Sequence, residues 1–295
     1  MAKKIKKKKV KKPSRPNHFS TPVECVNLLK KSVYLIARGR VLDATKPEQM
    51  NWVSLGTGCV VAPNRMITAA HVINDTSSEN ELLQHKVGDK YYLIKHDDEG
   101  SWHYRWTELK LDKDLFIYPD VDLAVIYLDE KFYSIDGQVY VHKDDFIRID
   151  NKFRNIATQI GVLGYPLCSL TFNNGDVNSP KVANVLLRAD VGVVNCRYKT
   201  SETNHLYEFT VAFNPGNSGG PIFDVRTGQL LSIVHGYRSQ SINRKEVLIN
   251  EQDKQKIGVN TYKADSYIDV IHATYSIGFA TPSFAEIFRE HNIVS

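Results

Sequence analysis

The residues best suited to chemistry lie in three short strings. The first is Asn214-Pro215-Gly216-Asn217-Ser218-Gly219-Gly220-Pro221, set between two strand-like runs. A serine hydroxyl becomes a useful nucleophile only when a base removes its proton during attack. The oxyanion that then develops needs donors already aimed at it. Glycines beside a serine let the backbone turn tightly, so that amide N–H groups converge on one point. The second string, Met66-Ile67-Thr68-Ala69-Ala70-His71-Val72, runs from an apolar strand through small residues to a histidine. Imidazole titrates near neutrality, as a general base requires; a buried structural histidine is the competing role. The third is Asp122-Leu123-Ala124-Val125, an acid opening an apolar strand. A buried acid there would accept from the imidazole, hold its tautomer and stabilise the imidazolium. Asp120 would point the same way along an extended strand and competes for that role.

The surrounding pattern is of short β-like runs: residues 32–37, 58–61, 90–95, 123–128, 160–163, 206–213 and 230–235. Pro63-Asn64, Asp98-Glu99-Gly100, Asn173-Asn174-Gly175 and Thr227-Gly228 punctuate them. Many short strands separated by such residues favour a sandwich or barrel over a βαβ sheet. One helix is signalled at the C-terminus. Pro282 suits its first turn, Ser283-x-x-Glu286 offers a capping box, and Phe284, Ile287, Phe288 and Ile293 form its apolar stripe. Between the histidine and the aspartate, residues 74–119 form a long insertion. Trp102, Tyr104 and Trp106 alternate along it as one face of a hairpin, read either as core packing or as a regulatory surface.

With 42% hydrophobic and 24% charged residues, the 295-residue chain has the composition of a soluble globular protein. Charges interrupt every apolar run before it could span a bilayer, and the lysine-rich N-terminus lacks the apolar core of a signal peptide. The net charge of +5 is unevenly placed. Nine Lys or Arg fall within residues 1–15, leaving 29 basic against 33 acidic residues elsewhere, a mildly acidic body near −4. Residues 1–24 are therefore expected to be a disordered basic tail and linker, and residues 25–295 one domain. The lysines of 3–12 would serve contact with nucleic acid or an anionic surface, or only solubility. Cys25, Cys59, Cys168 and Cys196 show no CxxC pair, so free thiols and a cytoplasmic location are expected, with no metal site and no cofactor.

Taken together, the strings resemble the trypsin-like superfamily, most closely its HtrA/Deg-like branch, from about Val33 to Phe288. Gly56-Thr57-Gly58-Cys59-Val60-Val61 is similar to that branch's glycine-rich strand. Thr68-Ala69-Ala70-His71 and Asp122-Leu123-Ala124-Val125 resemble its histidine and aspartate motifs. Gly164-Tyr165-Pro166 and Ile277-Gly278-Phe279-Ala280-Thr281-Pro282-Ser283 are further landmarks, and the order His, Asp, Ser agrees. The resemblance implies an all-β fold of two packed six-stranded barrels with a C-terminal α-helix and the site in the cleft between them. It implies a serine endopeptidase with His71, Asp122 and Ser218 as triad, acting on protein or peptide substrates. It also places the oxyanion-hole amides at Gly216 and Ser218.

Departures from secreted trypsins carry information as well. Val72 stands where those enzymes have a disulfide-bonded cysteine, and Asn217 replaces the aspartate that pairs with a freed N-terminus on zymogen activation. Activation by a regulatory partner or ligand is expected instead, and no PDZ domain is expected after the last helix. By the same resemblance Ala212 lies at the base of the specificity pocket, where trypsins hold an acid, with Phe213 beside it. His235 and Tyr237 lie on the strand bordering the substrate. A small or apolar P1 residue is expected; a histidine in that region is similar to glutamate-specific relatives and keeps an acidic P1 open. The competing function is a non-catalytic scaffold on the same fold.

Overall fold

A computed structural model describes residues 18–41, 45, 50–74, 86, 88–96, 104–109, 111, 114–128, 145–166, 168–171, 181–184, 186–246 and 267–293. The basic tail and Trp102 lie outside them.

The first half begins with helix α1, Pro22–Leu29, followed by β1 Val33–Val41, β2 Met50–Ala62, β3 Arg65–Ala69 and the single-turn helix α2, Ala70–Ile73. Strands β4 Lys90–His96, β5 Tyr104–Leu109, β6 Leu115–Tyr118 and β7 Leu123–Tyr127 complete a seven-stranded sheet in the order β5-β4-β1-β2-β3-β7-β6. The second half contains β8 Gln159–Gly164, the small β9 Ser169–Thr171 and β10 Lys181–Asn184 pair, β11 Arg188–Lys199, β12 His205–Phe209, β13 Pro221–Asp224, β14 Leu230–Ile233, β15 Gly236–Glu246 and β16 Tyr267–Phe279. Its sheet is ordered β14-β13-β8-β11-β12-β16-β15. Helix α3, Ala285–Glu290, follows a 3-10 turn over Thr281–Phe284. Both large sheets are antiparallel and curled, the two-barrel architecture expected, with seven hydrogen-bonded strands in each.

Strand periodicity explains how two sheets share one core. Successive side chains of a strand face opposite sides. In β1, Tyr34 and Ile36 enter the interior of the first sheet with Val60, Met66, Ala124 and Ile126. Val33, Leu35 and Ala37 face the other way, into a cluster shared with Leu163, Phe223, Leu230 and Ile233 of the second half. Strand β13 makes the same division, since Ile222 enters the second sheet's own core with Val162, Tyr207 and Phe209 while Phe223 joins the shared one. The shared cluster is closed by Phe284 and Phe288, both fully buried, and by Ile293 and Ile287. The apolar stripe read from the sequence therefore packs as expected. The capping box does not form: Ser283 Oγ instead accepts from the His205 amide at 2.9 Å and ties the turn to β12.

Two other expectations shift. The run 206–213 ends as a strand at Phe209, leaving Ala212 and Phe213 in irregular backbone. Helix α1 falls where a linker to residue 24 was expected. Its signal was local: Thr21 Oγ1 accepts from the Glu24 amide at 3.3 Å, Pro22 occupies the first turn, and Glu24 accepts from the Ser20 amide at 3.0 Å. In the insertion, β4 and β5 form the hairpin, and Trp106 packs edge-on against Tyr92 at 5.7 Å, which in turn meets Trp52 at 4.4 Å. Core packing is thus the role of Trp106. All four cysteines are free, and burial pushes the Cys168 thiol up to about 11.

Candidate active site

Sheet register brings His71 and Asp122 together. Strands β3 and β7 pair antiparallel with Ala69 opposite Leu123, so the residues just beyond each strand end meet at one edge. The Ala70 amide donates to the Asp122 carbonyl at 3.1 Å, and the His71 amide to Asp122 Oδ1 at 3.0 Å. These bonds fix the carboxylate beside the His71 ring, whose Nδ1 lies 3.0 and 2.9 Å from Oδ1 and Oδ2. Asp122 does not open an extended strand, as expected from sequence. It ends a 3-10 turn over Pro119–Val121, its amide closes on the Pro119 carbonyl, and its φ of 46° is left-handed. Aspartate tolerates that region better than most residues. The turn points Asp122 inward and leaves Asp120 exposed, which separates the two candidates.

A second imidazole reaches the same carboxylate from the other half of the molecule. His235 directly follows β14 and Val234, its amide donates to the Ile277 carbonyl, and its Nδ1 hydrogen-bonds Asp122 Oδ2. The two rings stand edge to face at 6.1 Å. Burial by itself would raise the Asp122 carboxyl; the hydrogen bonds from His235 and His71 outweigh it and hold the group well below the usual carboxylate range. Asp122 is therefore ionised wherever imidazoles titrate.

The Ser218 loop is two consecutive turns. The Asn217 amide closes on the Asn214 carbonyl at 3.0 Å with Pro215 second and Gly216, φ 97°, third, as a type II turn requires. The Gly220 amide then closes on the Asn217 carbonyl at 2.8 Å, with Gly219 at φ 78°. Thr57 of β2 clamps this loop to the first sheet: its amide donates to the Ser218 carbonyl at 2.8 Å and its Oγ1 to the Gly216 carbonyl at 2.7 Å. Thr57 Oγ1 also accepts from the Tyr165 amide at 3.0 Å. A Cβ on the neighbouring Gly56 would strike both the Ser218 carbonyl and the Val72 side chain, so the serine loop and the histidine turn flank one point. Among the described residues, the Gly216 and Ser218 amides have no protein acceptor, and no hydrogen bond joins Ser218 Oγ to His71.

Gly219 offers a direct test of this packing. A Cβ there would lie 2.1 Å from Thr68 Oγ1 and 2.3 Å from the Thr57 carbonyl, at a backbone angle that L side chains resist. Gly219→Ala is expected to lower stability by at least about 1–3 kcal/mol, read from the urea midpoint.

Of the residues assigned to substrate, Ala212 is exposed and Phe213 half-buried, its amide donating to Ser276 Oγ at 3.1 Å. Tyr237 of β15 is 68% exposed. His235 already spends Nδ1 on Asp122, a partnership the sequence reading did not include. The importance of Thr57 was also missed, although it lies in a motif noted for its glycines. Among the described residues, no helix is long and apolar enough to cross a membrane.

A solved structure shares this architecture. The HtrA-type protease AlgW, bound to a decapeptide, superimposes with a TM-score of 0.51 at 15% identity, over 92% of this chain and 67% of its own. The active form of the Rv3671c protease from M. tuberculosis gives 0.48 at 15% identity, over 99% and 96% of the two chains. A serine endoprotease from Yersinia pestis gives 0.47 at 17%, over 93% and 66%. No curated protein matches the sequence significantly. The trypsin-like peptidase domain profile matches residues 56–233, more than half of the chain and the span holding all three reactive strings. By that match, the chain belongs to the trypsin-like peptidase family.

Proposed function

We propose that the protein is a serine endopeptidase acting on protein or peptide substrates. The observation that carries this reading is the His71 Nδ1–Asp122 pair at 2.9–3.0 Å, set beside the clamped Ser218 loop. With Nδ1–H donated to Asp122, the lone pair of His71 rests on Nε2, the tautomer that takes a proton from a serine. Ser218 Oγ attacks the scissile carbonyl as its proton passes to Nε2. The amides of Gly216 and Ser218 receive the oxyanion, and His71 returns the proton to the leaving amine. Water, deprotonated by the same ring, then releases the acyl group.

Asn217, in place of the aspartate that pairs with a freed N-terminus, supports control by a substrate, ligand or regulatory partner rather than by zymogen cleavage. Four free thiols support a reducing, cytoplasmic location. Ala212 supplies no charge to the pocket, and one donor of His235 is already engaged, so a small or apolar P1 residue is favoured.

A fluorophosphonate probe tests the activity. Labelling of wild type but not of Ser218→Ala is the expected result; no labelling, with candidate partners included, would instead establish the scaffold. In peptides varied at P1, Ala, Val or Leu should be cleaved faster than Glu or Arg. A preference for Glu would return His235 to the role of an anion receptor.

A further inference from the structure

We propose that His71, Asp122 and His235 form a binding site for a transition-metal dication, with zinc the best fit, that switches the peptidase off. The switching rests on the catalytic reading above; the binding does not.

Three donors converge on one point. His71 Nδ1 and His235 Nδ1 both meet Asp122 Oδ2, and one ligand atom from each residue lies within 4.8 Å of the others. Zinc ligands stand about 2.0–2.2 Å from the ion, so neighbouring donors in a tetrahedral site are about 3.3 Å apart. The 2.9 Å between His71 Nδ1 and Oδ2 is already near that spacing, and small outward rotations of the two rings would make room for the ion. Two imidazoles with one carboxylate match the donor set of zinc sites that keep a fourth position open. The two imidazole side chains are each about one-third exposed while Asp122 is buried, so an ion would approach from the side of the rings. A carboxylate is ionised at neutral pH, so the ion meets an anion that needs no deprotonation.

Inhibition follows from the tautomer. A neutral His71 that donates Nδ1–H to Asp122 keeps its lone pair on Nε2. Coordination through Nδ1 uses that atom's lone pair, so the ring's one proton must move through solvent to Nε2. Proton count is unchanged, but Nε2 can no longer accept from Ser218. The metal also takes the carboxylate that would steady the imidazolium. Acid should weaken binding, because protonated imidazoles must first lose a proton.

The decisive experiment uses the full chain as Ser218→Ala, so that turnover plays no part. Titration with Co2+ should develop the visible absorption of a tetrahedral cobalt centre, and about one equivalent of Zn2+ should abolish it. Adding His235→Ser should weaken Co2+ binding by at least about 10-fold, since even partners outside the ligand set cost that much. His235→Gln, which keeps a donor for Asp122, should do the same, and circular dichroism verifies folding of both. In wild type, Zn2+ should suppress fluorophosphonate labelling and a chelator should restore it. Absence of the cobalt signal, or a signal that survives both His235 substitutions and so belongs to other histidines or thiols, would overturn the proposal. Metal binding without any labelling, candidate partners included, would keep the metal site and dismiss the peptidase; labelling without metal binding would do the reverse.

Discussion

Ser218→Ala should lower kcat/KM by roughly 10^6-fold and leave the fold intact. Only the hydroxyl is lost, and it makes no hydrogen bond to His71 that the folded protein depends on. The loop conformation is set elsewhere, by the paired turns through Gly216 and Gly219 and by the Thr57 bonds to the Gly216 and Ser218 carbonyls. Thermal midpoint and circular dichroism should therefore match wild type. Residual hydrolysis above the uncatalysed rate would persist, because the Gly216 and Ser218 amides proposed to receive the oxyanion are backbone groups that the substitution leaves in place. A variant that keeps wild-type turnover would remove Ser218 as nucleophile.

The second large effect belongs to Asp122→Asn, for which kcat should fall by about 10^4-fold with KM little changed. Asp122 Oδ1 accepts from the His71 amide, so an asparagine would keep its oxygen there and turn its NH2 toward His71 Nδ1. That ring would then carry its proton on Nε2 and lose its use as a base. Stability should respond to pH with a defined sign. The carboxyl is held below its ordinary value in the folded state, so its contribution is present above a pH of about 3.9 and fades as pH falls further. Urea denaturation should show the gap between wild type and Asp122→Asn narrowing from a pH of about 5, where the imidazoles beside Asp122 already carry their protons, to about 3. A gap that widens on acidification would mean that the carboxylate is not the stabilised form.

Much of this site was legible because its requirements are local. The Asn214–Pro221 string carries its own turn chemistry: a proline for the second position of the first turn and glycines for two left-handed angles. The β-like run at 32–37 likewise became part of β1, and the stripe of Phe284 and Phe288 packed as read. Helix α1 was also encoded locally, in Thr21-Pro22-Val23-Glu24, but the basic stretch before it favoured a linker reading. By contrast, the strand assumed at Asp120 and Asp122 is a 3-10 turn, so the face each acid occupies depended on a left-handed residue that alternation does not describe.

Sequence alone determined which reactive groups exist, which loop could present Ser218, and which stretch forms the apolar stripe of the last helix, because neighbouring residues dictate backbone angles and periodicity. Tertiary structure decided which carboxylate meets His71, through the β3–β7 register. It also placed His235 on that carboxylate from 113 positions away and made Thr57 the clamp between the sheets. Those choices depend on how two curled sheets pack against each other, a relation that no local stretch of residues specifies.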